Sequence, residues 1–132
     1  MRLGFLFAIL FITPAMAQNA LPNAPLNHFA PGTVQATLAV SASSTTVPFP
    51  ASPDTGIPSV LVYNVGTNPA CITPGDAQVV ATCAPSDIPV GPGCFVTVVP
   101  AGATTLAAIS TAGPTTLHLF GGTGAPAGGC TK

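Results

Sequence analysis

The chain has 132 residues, of which only two are Lys or Arg and three are Asp or Glu, for a formal net charge of −1. A nucleic-acid binder needs a basic footprint, and phosphate chemistry needs cationic side chains, so this composition excludes both classes. Its length suits one domain with a modest core, a size that is often helped by covalent staples.

At the N-terminus, Arg2 precedes an apolar run from Leu3 to Ile12, and "TPAMAQ" places small residues at Ala15 and Ala17. This layout reads as a secretory signal peptide over residues 1–17, cleaved after Ala17, and predicts an exported chain in the periplasm or outside the cell. The run is shorter than the roughly 20 residues of a spanning helix, so no stable membrane span is expected after cleavage. Beyond Ala17 the only charged residues are Asp54, Asp76, Asp87 and Lys132.

Residues 18–32, "QNALPNAPLNHFAPG", are Pro-rich and aperiodic, which predicts an extended arm before the domain. From Thr33 the pattern becomes period two, with Val34, Ala36, Leu38, Val40 and Ala42 on one face of "TVQATLAVSAS". That alternation predicts a half-buried strand. "TTVPF" (Thr45 to Phe49) reads as a short strand confined to an edge by Pro48.

"PASPDTGIPS" (Pro50 to Ser59) contains Asp54-Thr55-Gly56, the triplet that carries the catalytic carboxylate of aspartic proteases. A protease would need two such carboxylates sharing a proton, and hence a homodimer built on Asp54. Flanking prolines remove strand donors, so the favoured reading of Asp54 is the corner of a turn.

Further strands are expected at "SVLVYNV" (Ser59 to Val65), "ACIT" (Ala70 to Thr73), "AQVVAT" (Ala77 to Thr82), "CFVTVV" (Cys94 to Val99), "TTLAAIST" (Thr104 to Thr111) and "TTLHLF" (Thr115 to Phe120). "PGDA", "PAGA" and "AGP" supply turn chemistry between them. Seven or eight short strands without a capped helical pattern predict an all-β fold, an antiparallel sandwich or barrel over residues 33–124 followed by a Gly-rich tail, 125–132.

The succession "VYNVGTNPACITPGDAQVVAT" and "SDIPVGPGCFVTVVPAGATTLAAISTAGPTTLHLFGGTG" resembles a group of small bacteriophage virion-associated β-proteins. Shared features are the "V-Y-N-x-G" strand, a Gly-centred hairpin, the "I-P-x-G" loop and a final strand pair before a Gly-rich end. The resemblance spans roughly residues 33–124 and implies an all-β decoration or structural module, partnered by a protein assembly or a cell or virion surface, and able to self-associate. The four cysteines and the export leader depart from that pattern and imply an extracytoplasmic use of the shared fold.

Cys71, Cys83, Cys94 and Cys130 in an exported chain read as two disulfides with three connectivities. Cys83 and Cys94 bracket the Pro- and Gly-rich "APSDIPVGPG", which favours Cys83–Cys94 with Cys71–Cys130. These spacings are too wide for a zinc site, and His28 and His118 lack a cluster of further ligands, so neither metal nor cofactor is expected. No G-x-S-x-G elbow accompanies His118, and no catalytic residues are assigned. Tyr63 and Asn64 form a candidate stacking and polar pair at a strand end, suited to carbohydrate or protein binding, with Phe49, Phe95 and Phe120 as further aromatics.

The expectation is therefore a non-enzymatic exported structural module. An adhesive binding sandwich is its alternative, and the Asp54 protease a remote one.

Overall fold

A computed structural model describes residues 29–51, 58–124 and 128–130. Nine strands are described: β1 (Ala30–Val40), β2 (Thr45–Pro48), β3 (Pro58–Asn64), β4 (Ala70–Gly75), β5 (Ile88–Val90), β6 (Cys94–Val98), β7 (Thr105–Ile109), β8 (Thr115–Thr123) and β9 (Gly128–Cys130). They form two antiparallel sheets, β1-β8-β3-β6-β9 and β2-β7-β4-β5. The all-β sandwich expected from alternation is the fold observed. Among the described residues no helix is long and apolar enough to cross a membrane.

Period-two alternation sets which side chains face inward. Leu38 and Val40 of β1, Val60 and Val62 of β3, and Leu117 and Leu119 of β8 meet Ile72 of β4, Val90 of β5 and Leu106 and Ala108 of β7. These side chains are almost wholly removed from water, and burying each Leu, Ile or Val contributes about 2 kcal/mol. Gly121 is required inside β8, because a Cβ there would collide with the carbonyls of Pro50 and Ala51, which cross that strand.

The chain passes from one sheet to the other at almost every connection, so sequence neighbours are seldom sheet neighbours. The β4–β5 connection is one of the two that stay within a sheet. The anticipated hairpin of "ACIT" and "AQVVAT" does not form. Residues 77–82 are not in a strand, and β4 pairs instead with β5, with Ala70 opposite Val90 and Ile72 opposite Ile88. Asp76 closes a local turn in their place, accepting from the Gln78 amide at 2.9 Å.

β1 begins at Ala30, ahead of the strand start expected at Thr33, and the rest of the expected arm, residues 18–28, lies outside the described residues. The Gly-rich tail contributes β9, paired with β6. The edge position of β2, bounded by Pro48, is as expected.

The disulfides are Cys71–Cys83 and Cys94–Cys130, which corrects the expected pairing of Cys83 with Cys94 and Cys71 with Cys130. The reason is topological. β5 intervenes between Cys83 and Cys94 and carries the chain from one sheet to the other, so their loop spans the sandwich instead of closing on itself. Cys94 lies directly opposite Cys130 in the β6–β9 register, while Cys83 returns beside β4 with a Cα–Cα distance of 5.2 Å to Cys71.

A peptic digest of unreduced protein at low pH should yield Cys71–Cys83 and Cys94–Cys130 peptides, and a dominant Cys83–Cys94 peptide would contradict the fold. Replacing Cys94 and Cys130 together by Ala should lower stability by about 4 kcal/mol, against about 3 kcal/mol for the shorter Cys71–Cys83 loop.

Candidate interaction surface

The strand-end pair Tyr63 and Asn64 is divided between the two faces of its sheet. Tyr63 points to the outer face and is half-buried, whereas Asn64 is 0 % exposed and points between the sheets. The Asn64 amide nitrogen donates to the carbonyls of Asn68 at 2.8 Å and Val90 at 2.9 Å. Its Oδ1 accepts from the Gly66 amide at 3.0 Å and from the Thr115 hydroxyl at 2.8 Å.

Two donors and two acceptor sites are the full capacity of a carboxamide, and all are used internally. Gly66 permits this closeness, since a Cβ there would overlap the Thr115 hydroxyl. Asn64 thus ties β3 to β8, to β5 of the facing sheet and to the following turn. Asn68 extends the tie by donating to the Pro114 carbonyl at 2.9 Å.

The outer face of the five-stranded sheet gathers most of the aromatic side chains singled out above. Register places Thr37, His118, Tyr63, Phe95 and Gly129 in one row across all five strands. Gln35, Phe120, Leu61 and Thr97 form the next row. The His118 and Phe120 rings meet edge to face with centroids 6.3 Å apart. The Phe95 ring lies over Gly129, where a Cβ would stand 3.1 Å from its Cε1.

His118, Tyr63, Phe95, Phe120 and Leu61 are all half-buried, so this face is apolar and only partly covered. Thr97 sits within it, buried, with a hydroxyl that has no hydrogen-bond partner among the described residues. The row was not legible as a unit, because its members come from separate strands whose order is set by long-range pairing. Phe49 belongs elsewhere, packed against the core.

The ionisable groups are dispersed. Asp76 and Asp87 lie on the loop beside β4 and β5, while His118 is on the opposite sheet. Asp54 and His28 lie outside the described residues. No group of three His, Cys, Asp or Glu that could hold a metal occurs among the described residues. A cleft of about 500 Å³ at the Val40 end of β1 is lined by Ser41, Gly66, Thr67 and Pro114 among others, with no ionisable side chain among the described lining residues.

Asp87 has a structural environment. Its Oδ1 accepts from the Thr73 hydroxyl at 2.7 Å and its Oδ2 from the Thr82 amide at 2.8 Å. The Thr73 bond and then the Thr82 amide hold its carboxyl below its ordinary value against the opposing effect of burial, with lesser help from the amides of Cys83 and Ala84. Asp87 therefore braces the loop carrying Cys83 against β4.

No family model, curated protein or solved structure matches this chain.

A carboxyl with a lowered folded-state pKa contributes stability that is complete above its unfolded value and is lost as pH falls through the folded one. The difference in melting temperature between the parent and Asp87→Asn should thus be largest near neutral pH and shrink below about pH 4, near the unfolded value. Thermal unfolding of both proteins from pH 7 to pH 2 measures this, and a constant difference would contradict it.

Proposed function

We propose that this chain is an exported, non-enzymatic structural module that packs as a repeated unit in a larger assembly, on a cell or virion surface. The observation that carries this reading is the near absence of charge on the folded domain. Among the described residues the only Asp, Glu, Lys or Arg side chains are Asp76 and Asp87, and Asp87 is engaged internally. Near-zero charge removes the mutual repulsion that keeps soluble domains apart. The two disulfides accord with an oxidising compartment, as the leader-like N-terminus does. The resemblance to small virion-associated β-proteins supports the same use.

The row of Thr37, His118, Tyr63 and Phe95 favours a second reading, an adhesive sandwich that binds carbohydrate or protein across its outer sheet. Stacked aromatic faces with polar edges suit sugar rings. Among the described residues Asp76 and Asp87 lie on the sheet opposite His118, so no Asp–His pair comes together there, and the Asp54 triplet lies outside the described residues.

Light scattering on the mature chain at rising concentration separates the readings. The assembly reading expects growing oligomers, and a monomer at all concentrations would count against it. The adhesive reading expects retention on a glycan array that is lost in Tyr63→Ala, and Tyr63→Ala binding like the parent would remove that reading.

A further inference from the structure

The four sheet edges are unequal. β2 is four residues long and ends in Pro48, β5 is three residues long with Pro89 at its centre, and β9 is three residues long with two glycines. Short strands, prolines and glycines are the means by which proteins blunt sheet edges. β1 runs eleven residues, and its regular part, Gln35 to Val40, contains no Pro, no Gly and no charge.

The direction of its backbone groups follows from the pleat. The Val65 amide donates to the Thr116 carbonyl at 3.0 Å, so Thr116 and the alternate residues His118 and Phe120 direct their backbone groups toward β3. The intervening Thr115, Leu117 and Leu119 direct theirs toward β1, where they face Val40, Leu38 and Ala36. Gln35, Thr37 and Ala39 consequently present their N–H and C=O groups to the open edge. The Thr45 hydroxyl, 3.3 Å from the Ala39 carbonyl, reaches it from that side, as this orientation requires. Gln35 and Thr37 have no edge partner among the described residues.

We propose that β1 is the contact by which two copies of this chain pair, antiparallel about a two-fold axis at Thr37, joining their five-stranded sheets into one. This inference rests on the assembly reading and specifies its contact. A second copy is the occupant that this edge fits. Antiparallel self-pairing sets Thr37 opposite Thr37 and Gln35 opposite Ala39, whose carbonyl also accepts from the Thr45 hydroxyl of its own chain. It also sets Ala36 opposite Leu38, so the inner faces of both copies stay on one side. Such an isologous contact needs no second surface. No charge lies on the strand to oppose a like strand.

Sedimentation velocity on the mature chain, from micromolar to near-millimolar concentration, tests the pairing. Thr37→Pro removes the edge donor on the axis and leaves the β8 ladder donors in place. Gln35→Lys combined with Thr37→Lys sets like charges across the seam and carries the test if the proline variant does not fold. The parent is expected to dimerise with concentration, and each folded variant to associate roughly tenfold or more weakly, having lost the axial hydrogen bonds or gained repulsion. If the folded variants associate like the parent, this contact is wrong while the assembly reading stands. If the parent remains monomeric throughout, both fall.

Discussion

The sandwich depends on one carboxamide. Asn64 is buried at the end of β3, where it meets β8 of its own sheet, β5 of the facing sheet and the turn leading to β4. Apolar packing is non-directional and would tolerate small shifts of one sheet over the other, whereas four hydrogen bonds from one rigid planar group tolerate few. A buried amide left unpaired is costly, so the node holds only when every partner is in place. Ser110 repeats the device nearby, its hydroxyl set against the carbonyls of Pro69 and Gly113. Together these polar contacts fix one end of the molecule, and Cys94–Cys130 pins β9 to β6.

The fold class was legible because alternation is a local property. Leu38 and Val40, Leu117 and Leu119, and Val60 and Val62 announce inner faces without any knowledge of their partners. Strand order, by contrast, is a long-range property. β1 pairs with β8 and β3 lies between β8 and β6, and nothing in the intervening residues encodes those choices. The same limit governs the disulfides. The loop between Cys83 and Cys94 looks suited to closure, yet it holds β5 and changes sheets.

The candidate site was half legible for the same reason. Tyr63 and Asn64 read as a pair in sequence, but period two places neighbours on opposite faces. The signal was therefore present in the strand assignment itself. Tyr63 joins a row that crosses all five strands of its sheet, and Asn64 becomes part of the interior. Asp87 likewise has no partner readable from its sequence neighbours alone, and only the return of the loop past β4 brings Thr73 to it. Among the described residues what then remains outside is a surface of hydroxyls, methyls and partly covered rings, with β1 at one edge. That combination connects the composition to the proposed use.

The central claim is that Asn64 is an internal tie with no capacity left for a ligand. Urea unfolding of Asn64→Ala measures it most directly. The account predicts a loss of about 4 kcal/mol, since the substitution strands two carbonyls, an amide and a hydroxyl in the interior. A loss below about 1 kcal/mol, within the range of an ordinary surface substitution, would contradict it.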